Sequence, residues 1–229
     1  MTITDYYCIF TAKGSEKMYK ITTIFMVLFM TALVFPAEIT IQPDSSECKD
    51  SQITNYSPSA NYGTRIYLTE NWSDVPWITR GMIEFNLSKY FDPSKSFKVV
   101  AATMSFYHIN NSPVSQTWYL NRITESWDEA TVTFTNKPGY DTTSASSVVC
   151  KNSEGWEDFD VKDLLQKWLN KTYSNYGIYL WIGSAQSGIT TFLSSDYSDS
   201  TKRPKLYVKY DDITSIVPSS FGDIKALYK

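Results

Sequence analysis

Six side chains between Arg65 and Trp77 have the chemistry to hold a sugar polymer. In RIYLTE (65–70), period-two alternation puts Arg65, Tyr67 and Thr69 on one outward face and Ile66 and Leu68 on the other. Asn71, Trp72 and Trp77 follow in NWSDVPW, a polar loop holding two large rings. Exposed rings stack on sugar faces, and basic side chains hold uronate or sulfate groups through charge-assisted hydrogen bonds. The competing reading is an ordinary half-exposed strand with its loop tucked onto the core. The outward face is short of lysine, which weakens the case for a densely anionic ligand. Oxygen donors suited to calcium stand at Asp44, Asp158 and Asp160, with Asp196 and Asp199 in similar settings, but none forms an EF-hand loop.

Catalytic arrangements are harder to find. His108 is the one histidine, so a Ser-His-Asp or Cys-His apparatus would depend on it alone, and a zinc site of several histidines is excluded. The pairs Asp128–Glu129 and Glu157–Asp158 invite a glycosidase reading. Adjacent residues on a strand point to opposite faces, so neither pair can flank one bond. The residues favour binding over catalysis.

The elements that must position these residues are mostly strands. The chain has 229 residues, 42% apolar and 16% aromatic, with a net charge of -3. Such a chain can bury a core and is a poor match for a phosphate backbone. Period-two runs occupy 65–70, 81–87, 99–109, 117–124, 131–134, 177–183, 189–195 and 204–210, with further strands at 38–42 and 147–150. One segment is helical: DVKDLLQKWLN (160–170) spaces Val161, Leu164, Leu165, Trp168 and Leu169 on one face, with Asp160 at the N-cap. One helix among many short strands cannot supply parallel crossovers. The pattern is that of an all-β jelly-roll sandwich.

The ends are of another kind. Lys13, Lys17 and Lys20 precede the uncharged run ITTIFMVLFMTALV (21–34), with Ala37 closing the segment. Residues 1–37 therefore read as a secretory signal peptide, too short for a membrane span of about 20 residues. The sandwich is expected over 38–211. Residues 212–229 read as a linker and a short apolar tail, either a last element of the domain or a separate address. In an exported chain, Cys48 and Cys150 suggest one disulfide, since both lie in polar, turn-like contexts.

Six motifs in order carry a resemblance. They are Asn61-Tyr62-Gly63 before RIYL, TRGMIEFNLS (79–88), VVAATMSFYH (99–108), SWDEATVTFTNKP (126–138), FDVKDLLQKWLN, and Tyr176-Gly177 with the later FLSSDYSDSTKRPKLYVKY. Together, from about 39 to 210, they resemble the DNRLRE-type domain, a group related to polysaccharide-binding modules of bacterial extracellular proteins. Phe134 stands where that pattern has a second tryptophan, and the literal name motif is absent. The resemblance implies a jelly roll on a secreted or cell-surface protein that binds polysaccharide and does no catalysis. It implies glycan contacts near Arg65 and Asn71. A structural or adhesive surface sandwich without a small ligand is the second reading, and a polysaccharide lyase or hydrolase the third.

Overall fold

Side-chain alternation is converted into strands along most of the chain. The computed structural model describes residues 36–71, 77–109, 116–151, 153–182 and 190–213. Their strands are β1 (Ala37–Ile41), β2 (Cys48–Thr54), β3 (Tyr67–Asn71), β4 (Thr79–Phe85), β5 (Phe97–His108), β6 (Thr117–Arg122), β7 (Ser146–Val149), β8 (Gly155–Asp160), β9 (Ile178–Ile182), β10 (Thr190–Leu193) and β11 (Lys205–Asp212). The helix is α1 (Lys162–Leu169). One sheet runs β1-β11-β5-β10-β3, with β8 also paired to β5, and the second runs β2-β4-β9-β6-β7. Pairing is antiparallel throughout. The fold is the expected all-β sandwich with one short helix. The expected signal segment and tail lie outside the described residues, apart from their inner ends at 36–37 and 212–213.

Register fixes which side chains meet. Ile83, Phe85, Trp118, Leu120, Ile178 and Leu180 of the second sheet face Met104, Phe106, Phe159, Phe192, Leu206 and Val208 of the first. All twelve are buried, and taking their apolar surface out of water drives the two sheets together. Helix α1 adds Leu164, Leu165 and Trp168 to this core. The expected N-cap at Asp160 is corrected: Val161 holds the N-cap position, without a side-chain cap, and Asp160 Oδ1 accepts the Lys162 amide at 2.9 Å from one residue earlier.

The second sheet is apolar on its other face too. Ile53, Met82, Ile123, Trp127, Val132 and Tyr179 form a separate buried cluster. The segment 123–140 covers it, pinned by Tyr179 Oη to the Pro138 carbonyl (3.0 Å) and Trp127 Nε1 to the Tyr176 carbonyl (2.9 Å). Gly177 marks a close approach. Its φ is +82°, and a Cβ there would lie 2.0 Å from the Ile83 carbonyl oxygen.

Several expectations need correction. The run TVTF (131–134) is not a strand. The Thr131 and Val132 amides turn back to the Asp128 carbonyl, and Asn136 Oδ1 accepts both the amide and the hydroxyl of Thr133. Strands β2 and β8 were missed because their sequences, CKDSQIT and GWEDFD, are mostly polar. Thr69 does not share an outward face with Arg65 and Tyr67: it is fully buried, while Ile66 is 43% exposed. Strand β3 is covered on both faces at this point, since the neighbouring side chains Leu68 and Thr69 are both fully buried.

The expected Cys48–Cys150 disulfide is not formed; both cysteines are free and buried. Cys48 opens β2 at one edge of the second sheet, and Cys150 follows β7 at the other. Four strand spacings make that roughly 19 Å, far beyond disulfide reach.

Candidate functional site

The outer face of the second sheet carries a row of side chains at right angles to the strands. Opposed residues of an antiparallel pair share a face. Tyr119 of β6 pairs with Ser147 of β7 and with Trp181 of β9. Gly81 pairs with Leu180, so one step along Arg80 stands beside Trp181. Arg80 in turn pairs with Ile53 of β2. The result is a shelf of Ser147, Tyr119, Trp181 and Arg80, one residue per strand. It ends against Ile53, which is already roofed by segment 123–140.

The shelf's rings are half-buried, so their edges are fixed and part of each ring meets solvent. Tyr119 and Trp181 lie 5.7 Å apart and only 36° from parallel. Trp181 Nε1 donates to Asn121 Oδ1 at 2.6 Å. Asn121 is itself held by its Nδ2 bond to the Asp141 carbonyl (2.7 Å) and by the Ser144 hydroxyl (3.3 Å). The ring therefore has one orientation.

Arg80 is the shelf's cation. Its guanidinium lies 4.7 Å from the Tyr140 ring and 5.5 Å from the rings of Tyr179 and Trp181. Nη2 reaches the Tyr140 hydroxyl at 3.4 Å, and buried Nε has no partner. Among the described residues no carboxylate pairs with it. A half-exposed guanidinium with spare donors, bordered by rings, can receive oxygens from a ligand lying on the shelf.

The residues picked out from sequence lie elsewhere. Arg65 ties the sandwich together: Nη1 donates to Gln52 Oε1 (3.3 Å), its guanidinium stacks 5.1 Å from Tyr62, and its carbonyl accepts the Ser194 hydroxyl. Tyr67 is half-buried and Thr69 is interior. Trp72 and the side chain of Asn71 lie outside the described residues. Trp77 is 44% exposed, with its ring 4.3 Å from that of Tyr56, at the strand ends beside Ile78. None of the described members of that set lies on the shelf: Trp77 has the parity of Thr79, on the face opposite to Arg80.

The calcium candidates do not converge. Asp44 Oδ1 is engaged by the Ser46 amide and hydroxyl, Asp158 Oδ1 by the Ser105 hydroxyl, and Asp160 Oδ1 by the Lys162 amide. Among the described residues no group of three or more acidic, histidine or cysteine side chains is placed to hold a metal.

Groups with catalytic potential are tied up. His108 is buried, with Nε2 3.2 Å from Glu157 Oε1, which also accepts the Lys151 amide at 2.6 Å. On β8, Glu157 faces the core and Asp158 faces out, as alternation demands. Asp128 and Glu129 lie in a turn instead of a strand. One depression beside Lys49 is lined by three carboxylates: Glu47, which pairs with Lys89, and the couple Glu84 and Glu129. Burial raises both above the usual carboxylate range, yet Glu84 sits 2.9 Å from Lys49 Nζ, and Glu129 Oε1 accepts the Asp50 amide at 2.7 Å. Burial also raises both thiols, and a protonated thiol is a poor nucleophile.

Comparison with known proteins adds one match. The family pattern of carbohydrate-binding module family 96 matches residues 42–210, from just after β1 to within β11 and including the whole shelf. No protein of curated function matches the chain.

Proposed function

Because the chain belongs to carbohydrate-binding module family 96, we propose that it is a secreted or cell-surface, non-catalytic module whose shelf of Tyr119, Trp181 and Arg80 binds polysaccharide. The observation that carries this reading is the row itself: two rings tilted 36° to each other and a guanidinium with no carboxylate partner among the described residues, side by side on three adjacent strands. Rings offer apolar faces to the C–H sides of sugars, and the guanidinium offers N–H donors to their oxygens. The basic-then-apolar segment within 1–37 supports export, and the resemblance to the DNRLRE-type domain supports a polymer as ligand. Affinity electrophoresis against a panel of plant, algal and bacterial polysaccharides tests the reading. Wild type is retarded in at least one gel, and Trp181→Ala loses about 2 kcal/mol, roughly 30-fold in affinity, as expected of a central ring anchor. Equal migration of both proteins in every gel overturns the reading.

A further inference from the structure

The outer face of the first sheet carries a second group of rings and polar side chains. Trp156 of β8 pairs with Tyr107 of β5, and two residues along Asp158, Ser105 and Lys205 stand abreast on β8, β5 and β11. These five share one face. Their neighbours in sequence, Phe106, Phe159 and Leu206, point the other way into the core. Trp156, Tyr107 and Lys205 are half-buried, and Asp158 is exposed.

The Trp156 and Tyr107 rings meet edge to face, 5.3 Å apart at 83°. Lys205 reaches across β5, past the small Ser105, and its Nζ lies 3.8 Å from the centre of the Trp156 ring. Among the described residues no carboxylate pairs with Lys205. Lys202 Nζ lies 4.7 Å from the Tyr107 ring, and Lys202 Nζ (3.2 Å) and the Tyr107 hydroxyl (2.8 Å) both donate to Glu154 Oε1. Asp158 Oδ1 accepts the Ser105 hydroxyl at 2.6 Å, and a carboxylate has lone pairs to spare beyond one such bond. The group thus sets rings, ammonium donors and carboxylate acceptors side by side. A sugar stacks its C–H face on a ring, donates from its hydroxyls to carboxylates and accepts from ammonium groups. Two lysines stand with two carboxylates, a balance of charge that matches a neutral sugar. The shelf lies on the opposite side of the sandwich, beyond two sheets packed about 10 Å apart, so a polymer lying on one face leaves the other open.

We propose that the group around Trp156, Tyr107 and Lys205 is a second carbohydrate-binding face, for neutral sugar segments, and that the module holds two polysaccharide chains at once, one on each sheet. The proposal rests on the carbohydrate reading of the shelf and adds to it a second site, the ligand class of that site and the bridging of two chains.

Stoichiometry is the readout. Wild type, Trp156→Ala, Trp181→Ala and the double variant are titrated calorimetrically with hexasaccharides of β-linked glucan, mannan, xylan and polyuronate. Across the panel wild type shows two sites per molecule, each single variant one, and the double variant none. On Trp181→Ala, where only the Trp156 face remains, the polyuronate binds no more tightly than the best neutral oligomer. Light scattering from mixtures of the parent polysaccharides follows bridging: wild type clusters them, and neither single variant does. Thermal melts confirm that each variant is folded, and Lys205→Ala, which removes the donor above the ring, repeats the test should Trp156→Ala unfold. A single site in wild type overturns the proposal: if Trp181→Ala removes it, the shelf stands alone, and if Trp156→Ala removes it, the shelf reading falls too. Two sites that Trp156→Ala leaves intact overturn it as well, and tighter binding of polyuronate to Trp181→Ala overturns the ligand class. If wild type binds neither oligomers nor polymers, the carbohydrate reading itself falls and this proposal with it.

Discussion

The Trp181 indole N–H donates to Asn121 Oδ1 at 2.6 Å, so the shelf's largest ring is clamped by a side chain of the neighbouring strand. Asn121 is fully buried and touches no ligand position, so it acts through Trp181. Asn121→Ala frees the ring to change rotamer. One net hydrogen bond is about 1 kcal/mol, so affinity for a retarding polysaccharide falls about fivefold. Trp181 fluorescence anisotropy falls with it. Loss of stability alone, with affinity per folded molecule unchanged, would make Asn121 merely structural.

Arg80 tests whether planar geometry matters beyond charge. Its guanidinium lies among the rings of Tyr140, Tyr179 and Trp181, where a planar fork stacks and an ammonium does not. Arg80→Lys keeps the charge and still loses most of the affinity that Arg80→Ala loses. Full retention of binding by Arg80→Lys would mean that the site reads only charge.

The strands and the shelf were legible to different degrees, for one physical reason. RIYLTE and GMIEFNL alternate visibly because one face of each is apolar. CKDSQIT does not, yet it forms β2, because Asp50 and Gln52 are buried against partners far away in sequence: Asp50 on the Ser195 amide, Gln52 on Arg65. The same non-locality hid the shelf. Tyr179 and Trp181 look alike in GIYLWIG, both pointing outward on β9. Segment 123–140 roofs Tyr179 and stops short of Trp181, so one ring is core and the other surface. Local sequence does not record where a roof ends. Thr69 was misread for the complementary reason: period-two alternation assumes one solvated face, and β3 is covered on both, whereas Arg65 precedes β3 and is occupied by Gln52 and Tyr62.

The cysteines predict redox indifference. Burial raises both thiols above the ordinary range, Cys48 also through the charge of Asp50 and Cys150 through that of Glu157. Neither reacts with Ellman's reagent in the folded protein, and both react once it is unfolded in denaturant. Reducing agent leaves the melting temperature unchanged. A fall in melting temperature on reduction would restore the disulfide.

Gly177 predicts a steep backbone penalty. Its φ of +82° is disfavoured for any L side chain, and an added Cβ meets the Ile83 carbonyl at 2.0 Å, a contact that only a shift of β4 could relieve. Gly177→Ala therefore destabilises by about 2–4 kcal/mol, combining left-handed strain with overpacking. Chemical denaturation measures it. Because β9 carries Trp181 four residues further on, binding weakens in parallel.

The pH dependence of stability should carry the signature of Asp50. This carboxyl faces inward from β2 with 1% exposure. Its Oδ2 accepts the Ser195 amide at 2.7 Å, and its own amide donates to Glu129 Oε1, also at 2.7 Å. Burial pushes its pKa up to about 7, with the hydrogen bond from the Ser195 amide opposing the rise and the charges of Asp196 and Glu129 adding to it. In the unfolded chain the group titrates near its ordinary value of 3.8. Between those values the native state holds a proton that the unfolded state has released. Stability from this group is therefore full below the lower value, falls as pH rises through the window, and is lost above the higher one. Asp50→Asn keeps the shape and an acceptor for the Ser195 amide, and it cannot ionise. Urea denaturation of both proteins from about pH 4 to pH 8 should show them converging at the acid end, with the variant the more stable at the alkaline end. Glu129, raised as well, titrates in both proteins and largely cancels from the difference. A wild-type-minus-variant difference that stays flat across the window would mean that Asp50 is ionised throughout, held by partners stronger than the Ser195 amide.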